Sequence, residues 1–306
     1  MKDQKIITLL ASATEIICAL GYEKEIVARS HECDYPSSIS SLPVCTELKI
    51  DASKTSLELN DQLRTIINNG LSIYKVDSDL LKQLEPDLIV TQTQCEACAV
   101  SPRDFDQAVQ DWIGTKPRIV SLEPNSLKDI WTDIRKVAVA LGDKDRGEQL
   151  VSELFAKMLA IREKAVNSAS QPTLGCIEWI DPLMAAGNWI PELVEMAGGR
   201  NVFGEAGKHS TWMSWETLYD EDPEMILFIP CGYSINESRQ NIPALTRNPE
   251  WTSLRAVKSN QVFIADGSQY FNRPGPRLVE SLEILSEILH PELFNARFEG
   301  IGWEYL

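Results

Sequence analysis

Cysteine side chains supply the most reactive chemistry in this sequence. Cys95 and Cys98 form a Cys-x-x-Cys pair that follows a predicted strand, and Cys33 and Cys231 each follow another. His31 precedes Cys33 by two residues. Thiolates and imidazoles are typical zinc ligands, and a Cys-x-x-Cys pair can cycle between dithiol and disulfide. These five residues therefore predict a metal site or a redox pair, although small buried thiols of cytoplasmic proteins produce the same pattern.

Aromatic side chains gather in the segments that follow the predicted strands. Four tryptophans and three tyrosines lie there or at the border, namely Trp179, Trp189, Trp212, Trp215, Tyr35, Tyr233 and Tyr270. Aromatic rings offer flat apolar faces with a polar edge, which suits a flat, partly polar ligand. Glu47, Gln94 and Arg273 add hydrogen-bonding groups to these segments. The alternative for Trp179 and Trp189 is that they fill the core near strand ends.

The elements that position these residues follow an α/β pattern, with short apolar runs alternating with helical patterns. Strands are predicted at 5–10, 25–29, 87–91, 117–122, 173–179, 225–229 and 261–265. Helices are predicted at 77–84, 127–141, 144–166, 189–197, 215–221 and 276–289. A Ser12-Ala-Thr-Glu15 capping box is predicted to open a further helix at 16–20.

This order predicts two α/β lobes joined by one long helix, with boundaries at 1–141, 142–168 and 169–306. Ligands of open α/β sheets bind at the carboxyl ends of the strands. If both lobes turn those ends toward each other, the cysteines and aromatic rings line a shared cleft.

Composition limits the partners. The chain has 306 residues, with 45 acidic against 29 basic residues and a formal net charge of −16. Such a surface repels phosphate backbones and anionic lipids, which argues against nucleic acid as a partner. No run of about 20 apolar residues is present, so no membrane insertion is predicted.

The first 21 residues lack a signal-peptide pattern, because their apolar run is interrupted by Thr8, Ser12, Thr14 and Glu15. If Met1 is the natural start, a cytoplasmic protein is predicted; a periplasmic protein is the alternative if the start is misassigned or the chain trimmed. Seven cysteines, an odd number, agree with reduced thiols in the cytoplasm.

Several motifs follow one another along nearly the whole chain: Ile7-Thr-Leu-Leu-Ala-Ser-Ala-Thr-Glu15 with Ala19-Leu-Gly21, Cys33-Asp-Tyr-Pro36, Glu85-Pro-Asp-Leu-Ile-Val90, Met196-Ala-Gly-Gly-Arg-Asn-Val-Phe203, Ser214-Trp-Glu216 with Asp222-Pro-Glu224, and Ser268-Gln-Tyr-Phe-Asn-Arg-Pro-Gly-Pro-Arg277. This order resembles the type III substrate-binding proteins of vitamin B12, haem and iron–siderophore ABC importers. The last block is similar to the vitamin B12-binding branch. Lacking a signal pattern, the chain resembles the leaderless members of that family.

The resemblance implies two Rossmann-like lobes with parallel-rich sheets, joined by a long rigid helix, with the ligand cleft between the lobes. It implies that Tyr35 and Tyr270 stack on a corrin ring, with Trp212 or Trp215 contributing. Family members dock on the ABC transporter permease through one surface glutamate per lobe. Glu216 matches the second-lobe position, and the candidates in the first lobe are Glu96 or Asp104. The missing signal pattern argues against a permease as partner.

Charge and donor type separate the candidate ligands. Haem and siderophores carry anionic groups that call for Arg or Lys forks, whereas the presumed loops carry Arg273 and Arg277 among many more acids. A free divalent cation calls for clustered histidines, and the three histidines are far apart in sequence. A corrinoid is bulky and bears amide arms, and the Tyr, Trp, Asn, Gln and Glu side chains of the loops suit it.

The sequence therefore predicts a non-catalytic binding protein for a corrinoid such as cobalamin, or for a related metal chelate. No catalytic cofactor is predicted, because Gly-x-Gly-x-x-Gly, Walker A and Gly-x-Ser-x-Gly motifs are missing from the sequence. The alternative is a cytoplasmic thiol-dependent metal-binding or redox protein that uses the cysteines of the cleft.

Overall fold

The computed structural model describes residues 4–48, 57–59, 62, 74–92 and 117–306. These residues fall into two compact units, one built mainly from the chain before Glu153 and the other mainly from Glu153–Leu306. We call them the N-terminal unit and the C-terminal unit. Both combine helices with parallel-rich sheets, which confirms the predicted fold class.

The N-terminal unit contains a four-stranded parallel sheet and a separate antiparallel strand pair. The parallel sheet has the spatial order β2-β1-β5-β6, with β1 at Ile6–Thr8, β2 at Ile26–Arg29, β5 at Leu88–Gln92 and β6 at Arg118–Leu122. The antiparallel pair is β3 at Thr46–Leu48 and β4 at Tyr74–Val76. The central strand β1 is completely buried, as expected for a parallel sheet with both faces covered.

The described part of this unit includes the helices α1 at Ala11–Ala19, α2 at Ser78–Leu84 and α3 at Leu127–Leu141. The long helix α4 follows at Lys144–Ala165. Asp77 caps α2 by accepting a hydrogen bond from the backbone N–H of Leu80 at 2.9 Å.

The predicted capping box at the start of α1 is wrong. The helix begins at Ala11, its N-cap is Leu10, and no side chain caps it. Ser12, Thr14 and Glu15 lie buried within the helix. The physical reason is packing against β1, because the Thr14 hydroxyl donates to Oγ1 of Thr8 at 2.7 Å.

The C-terminal unit contains a larger mixed sheet. Its strands are β7 at Thr173–Trp179, β8 at Met184–Ala185, β9 at Arg200–Asn201, β10 at Thr211–Trp212, β11 at Met225–Phe228, β12 at Val262–Ala265 and β13 at Trp303–Tyr305. The spatial order is β10-β8-β7-β11-β12-β13, and β9 pairs with β7. β7, β11 and β12 are parallel neighbours, so their carboxyl ends lie at one edge of the sheet.

Helices cover this sheet, namely α5 at Ile190–Met196, α6 at Trp215–Glu221, α7 at Ile235–Thr246, α8 at Arg255–Lys258 and α9 at Leu278–Leu289. The strands β11 and β12 are buried along their whole length, and Ile226, Phe228 and Ile264 belong to the core of the unit. None of the helices in the described part of the chain combines the length and apolar character that a membrane span requires.

The sequence did not predict the short antiparallel strands β8, β10 and β13, because two or three residues carry no measurable periodicity. β13 pairs with β12, and its rings lie against Phe263, with ring centroids 5.7 Å away for Trp303 and 5.0 Å away for Tyr305. The C-terminal segment thus completes one side of the sheet.

Candidate ligand-binding site

An aromatic pair lies at the carboxyl ends of two neighbouring strands in the C-terminal unit. Trp179 is the last residue of β7, and Tyr233 follows β11 by five residues. Their ring centroids are 5.3 Å apart with a tilt of 47°. Both side chains are buried, with 8% and 9% of their surface exposed. Together with Tyr270, which follows β12, we call these residues the aromatic edge.

Two polar atoms of this pair have no hydrogen-bond partner among the described residues: the indole Nε1 of Trp179 and the hydroxyl of Tyr233. Burial raises the pKa of Tyr233 to about 12, so the hydroxyl keeps its proton at neutral pH. A buried polar atom without a partner costs about 1–3 kcal/mol. Such atoms in a native structure call for an explanation, and a bound ligand is one.

Backbone hydrogen bonds tie the segments of the aromatic edge together. The N–H of Cys231 donates to the carbonyl of Glu178 at 3.1 Å, and the N–H of Ser268 donates to the carbonyl of Tyr233 at 3.1 Å. Gly267 packs so closely that an added Cβ would lie 2.2 Å from the carbonyl oxygen of Pro230. Only glycine fits at that position, and the loops after β7, β11 and β12 therefore form one connected surface.

Tyr270 lies in a π-helical turn at Gly267–Phe271 that directly follows β12. Its ring is buried, with 8% exposed, and the guanidinium carbon of Arg277 lies 4.7 Å from the ring centroid. Burial is the main reason why the pKa of Tyr270 is raised. Most of this ring therefore packs against the protein itself.

The other three tryptophans that the sequence predicts for the site differ in exposure and contacts. Trp189 is buried, and its indole N–H donates to the carbonyl of Phe271 at 3.0 Å, as expected for a residue that fills the core. Trp212, on the edge strand β10, is 51% exposed. Trp215 packs on Tyr219 and Trp251, with centroid distances of 5.9 and 6.4 Å.

The arginines of this region are engaged with the protein. Arg277 donates to Glu280 at 3.0 Å and to Gln269 at 2.8 Å. Arg273 is also buried, and its guanidinium lies 3.5 Å from the Ser268 hydroxyl. A fork that already binds a carboxylate has less capacity for an anionic ligand.

Glu178 was not predicted as a site residue, yet it lies on β7 beside Trp179. The Ser210 hydroxyl donates to its carboxylate at 2.6 Å, and Ser210 accepts from the N–H of Gly187 at 3.0 Å. Burial raises the pKa of Glu178. A single acid within the apolar run of β7 is the sequence signal that could have found it.

The N-terminal unit carries smaller polar groups at the corresponding strand ends. The Thr14 hydroxyl lies 2.7 Å from Thr8 Oγ1 and 3.0 Å from the sulfur of Cys33. We call these three residues the hydroxyl–thiol cluster. Burial raises the pKa of the Cys33 thiol, which makes it a weaker nucleophile and metal ligand. The hydroxyls of Ser12 and Thr91 are buried and have no partner among the described residues.

Three predicted site residues of the N-terminal unit lie near its surface. Tyr35 is 43% exposed. Nδ1 of His31 lies 2.7 Å from the Thr46 hydroxyl. Glu47 forms an exposed ion pair with Lys75 at 2.5 Å. Gln94, Cys95, Glu96, Cys98 and Asp104 lie outside the described residues.

The predicted metal site stays a prediction. Among the residues that the structure describes, no group of three or more His, Cys, Asp and Glu side chains could hold a metal ion. The pair Cys95 and Cys98 is outside that range, so the proposed set with Cys33, Cys231 and His31 is not tested.

Glu216 lies in the first turn of α6, where Ser214 is the N-cap. The backbone N–H of Glu216 and the Ser214 hydroxyl lower the pKa of this carboxylate, which stays ionised and exposed. An exposed anion at a helix N-terminus suits a cationic partner.

In open α/β sheets, the loops at the carboxyl ends of parallel strands are the usual place for a ligand. The model of the periplasmic binding protein family matches residues 6–268, and the chain belongs to that family. The family comprises substrate-binding proteins of ABC importers, which agrees with the expected non-catalytic role.

Relatives and solved structures cover most of the chain. YvrC of Bacillus subtilis (strain 168), an ABC transporter substrate-binding lipoprotein, is 21% identical over 96% of this chain and 82% of YvrC. The vitamin B12-binding protein of Vibrio vulnificus (strain YJ016) is 24% identical over 93% of this chain and 89% of that protein. The periplasmic haem-binding protein RhuT of Roseiflexus sp. RS-1 superposes with a TM-score of 0.69 at 21% identity, over 94% of this chain and 98% of RhuT.

The expectation of a cytoplasmic protein is wrong. One relative is named a lipoprotein, and the solved neighbour is named periplasmic, so the comparisons point to a location outside the cytoplasm. The expectation depended on the pattern of the first 21 residues. Most of those residues form β1 and α1, so their pattern reports on the folded unit and carries no information about export.

Proposed function

We propose that this protein binds a corrinoid of the vitamin B12 type at the aromatic edge and delivers it to an ABC importer. The observation that carries the proposal is the pair of buried polar atoms, Trp179 Nε1 and Tyr233 OH, which lack partners among the described residues. A ligand with hydrogen-bond acceptors, such as the amide arms of a corrinoid, would satisfy both. The adjacent ring faces suit stacking on a large conjugated ligand.

Charge also supports a ligand without strongly anionic groups. Arg277 is already paired with Glu280, and it also donates to Gln269. An anionic haem or siderophore would find the Arg277 fork already bonded to a carboxylate. The vitamin B12-binding relative is a second support.

The thiol-dependent alternative stays open as a prediction, since Cys95 and Cys98 lie outside the described residues. Metal analysis of freshly purified protein tests it. We expect less than a stoichiometric amount of zinc or iron, and a full equivalent of tightly bound metal would favour the alternative.

Isothermal titration calorimetry with cyanocobalamin tests the corrinoid proposal through Tyr233→Phe. The substitution removes an unpartnered buried hydroxyl, so we expect weaker binding together with equal or higher thermal stability. Tyr219→Phe is the matched control in the same unit, because its hydroxyl already donates to Asn248 at 2.7 Å. The control should lose stability and keep its affinity.

Two outcomes would contradict the proposal. One is a wild-type protein that takes up no cyanocobalamin, and the other is a Tyr233→Phe variant with unchanged affinity. Haemin is titrated in parallel. Tighter binding of haemin than of cyanocobalamin would assign the site to haem.

We further propose that Glu216 contacts the importer. Glu216→Arg should reduce corrinoid uptake by cells that carry the natural importer, because the substitution reverses the charge presented to the permease. Affinity for cyanocobalamin should be unchanged. Glu221→Arg, at the other end of α6, is the control and should leave uptake intact; equal losses for both variants would count against a specific contact.

A further inference from the structure

Glu287 is a buried carboxylate on α9 that binds the C-terminal segment. Only 4% of its surface is exposed. It accepts hydrogen bonds from the backbone N–H of Arg297 at 2.9 Å, from that of Phe298 at 3.0 Å and from the indole N–H of Trp303 at 2.9 Å. Hydrogen bonds from N–H donors to a carboxylate are stronger than the same bonds to a neutral acceptor. Glu287 therefore fixes the backbone of residues 297–303.

The segment that Glu287 fixes packs against the ring of Tyr270. The Phe298 ring meets Tyr270 edge to face, with a centroid distance of 5.7 Å. Gly302 lies so close that an added Cβ would be 3.1 Å from Cε2 of Tyr270. The carbonyl of Gly302 also accepts from the N–H of Asp266 at 2.9 Å.

Asp266 in turn caps the π-helical turn that carries Tyr270. Its carboxylate accepts from the N–H of Gln269 at 2.7 Å. The turn is bonded to the loop after β11 through Ser268 and Tyr233. One chain of contacts thus runs from Glu287 through residues 297–303 to the aromatic edge.

Other contacts hold Tyr270 from α9 and its N-terminus. Arg277 lies over the ring, and the Ser281 hydroxyl donates to the carbonyl of Tyr270. Since these contacts leave the Phe298 side of the ring to the C-terminal segment, loosening that segment releases Tyr270 on one side only.

We propose that Glu287 is a positioning residue, which sets the geometry of the Tyr270 turn and, through it, the affinity of the aromatic edge for its ligand. The second part of this inference, the effect on ligand affinity, rests on the proposed function. Glu287 itself is enclosed by α9 and residues 297–303, so it would affect a bound ligand only through them.

Glu287→Gln tests the inference, because it keeps the size of the side chain but replaces one acceptor oxygen with an NH2 group that repels an N–H donor. Hydrogen-exchange mass spectrometry should show faster exchange in 266–271 and 297–303, with the sheet strands unchanged. Affinity for cyanocobalamin should fall by up to about tenfold, because the energy of one hydrogen bond to a charged group limits how far the loosened turn can weaken binding. Both are measured well below the midpoint of thermal unfolding.

Two variants separate positioning from general stability. Trp303→Phe removes the indole donor together with one ring of the side chain and should reproduce the faster exchange of 297–303. Glu283→Gln, on the same helix, breaks a contact with the Arg297 guanidinium at 3.3 Å and should change neither the exchange of 266–271 nor the affinity.

The inference is overturned if Glu287→Gln leaves exchange of 266–271 unchanged, or if exchange rises while affinity stays the same. Failure of the proposed function looks different, since the wild-type protein would then bind no cyanocobalamin. In that case, hydrogen exchange of residues 266–271 in Glu287→Gln would still decide whether Glu287 sets the geometry of the Tyr270 turn.

Discussion

The two units carry different side chains at the carboxyl ends of their strands. The N-terminal unit has the small groups of the hydroxyl–thiol cluster, and Thr14 bonds to both of its partners. The C-terminal unit has the large rings of the aromatic edge, where two polar atoms lack partners among the described residues. Both units contain parallel neighbouring strands whose carboxyl ends lie at one edge of a sheet, so parallel pairing alone does not define a binding surface. If the proposed function is right, we expect the contact area for a flat ligand to come mainly from the C-terminal unit.

The largest expected effect comes from replacing a ring of the aromatic edge with a smaller aliphatic side chain. Trp179→Leu should weaken cyanocobalamin binding on the order of thirtyfold, which corresponds to about 2 kcal/mol, the size of a buried aromatic hot spot. Tyr35→Leu in the N-terminal unit should have a smaller effect, because this side chain is partly exposed. Calorimetric titration of both variants checks the order, and the reverse order would place the principal contact in the N-terminal unit.

A second prediction concerns Asp133 on α3, a buried carboxylate that accepts from the N–H of Glu123 at 3.0 Å. Burial raises its pKa from 3.8 to about 6. The folded state therefore holds this proton more tightly than the unfolded state, and the stabilisation present below pH 4 is lost as the pH rises through 6. Asp133→Asn does not titrate, so its stability relative to wild type should rise between pH 4 and 7 by on the order of 2 kcal/mol.

Chemical denaturation at several pH values measures this difference. Asp129→Asn, on the same helix, controls for the simple loss of a negative charge. Cyanocobalamin affinity should not change in Asp133→Asn, since this group is bonded within the N-terminal unit. A flat pH dependence would show that the carboxylate is solvated.

The smallest effect is expected at the hydroxyl–thiol cluster. Thr14→Val keeps the shape of the side chain and removes its bonds to Thr8 and Cys33, which should lower the free energy of unfolding by about 1 kcal/mol. Affinity for cyanocobalamin should stay within experimental error of wild type. An affinity loss comparable to that of Trp179→Leu would remove the contrast between the units.

Much of the scaffold could be predicted from periodicity. The apolar runs of β7, β11 and β12 and the amphipathic pattern of α3 identified those elements within a residue or two. The start of α1 was predicted wrongly, because a Ser-x-x-Glu spacing indicates a cap only when the hydroxyl faces the free N–H groups. Here α1 begins at Ala11, which places Ser12 inside the first turn, and its hydroxyl has no partner among the described residues.

The candidate site was predicted less completely. Trp179 and Tyr233 were placed after strands by sequence position, but their 5.3 Å contact depends on the neighbouring order of β7 and β11. Glu287 was missed altogether. Its pattern is that of an ordinary helical glutamate, and its three donors come from residues 10 to 16 positions further along the chain.

By itself, the sequence determined the α/β class, the order of the main strands and the chemical types at their ends, because hydrophobic period and turn residues are local properties. Tertiary structure alone decided which of those side chains are bonded to the protein and which polar atoms remain without partners in the described chain. Hydrogen bonding and burial depend on atoms brought together from distant positions. For the same reason, only the folded chain shows that Glu287 binds the segment that packs against Tyr270.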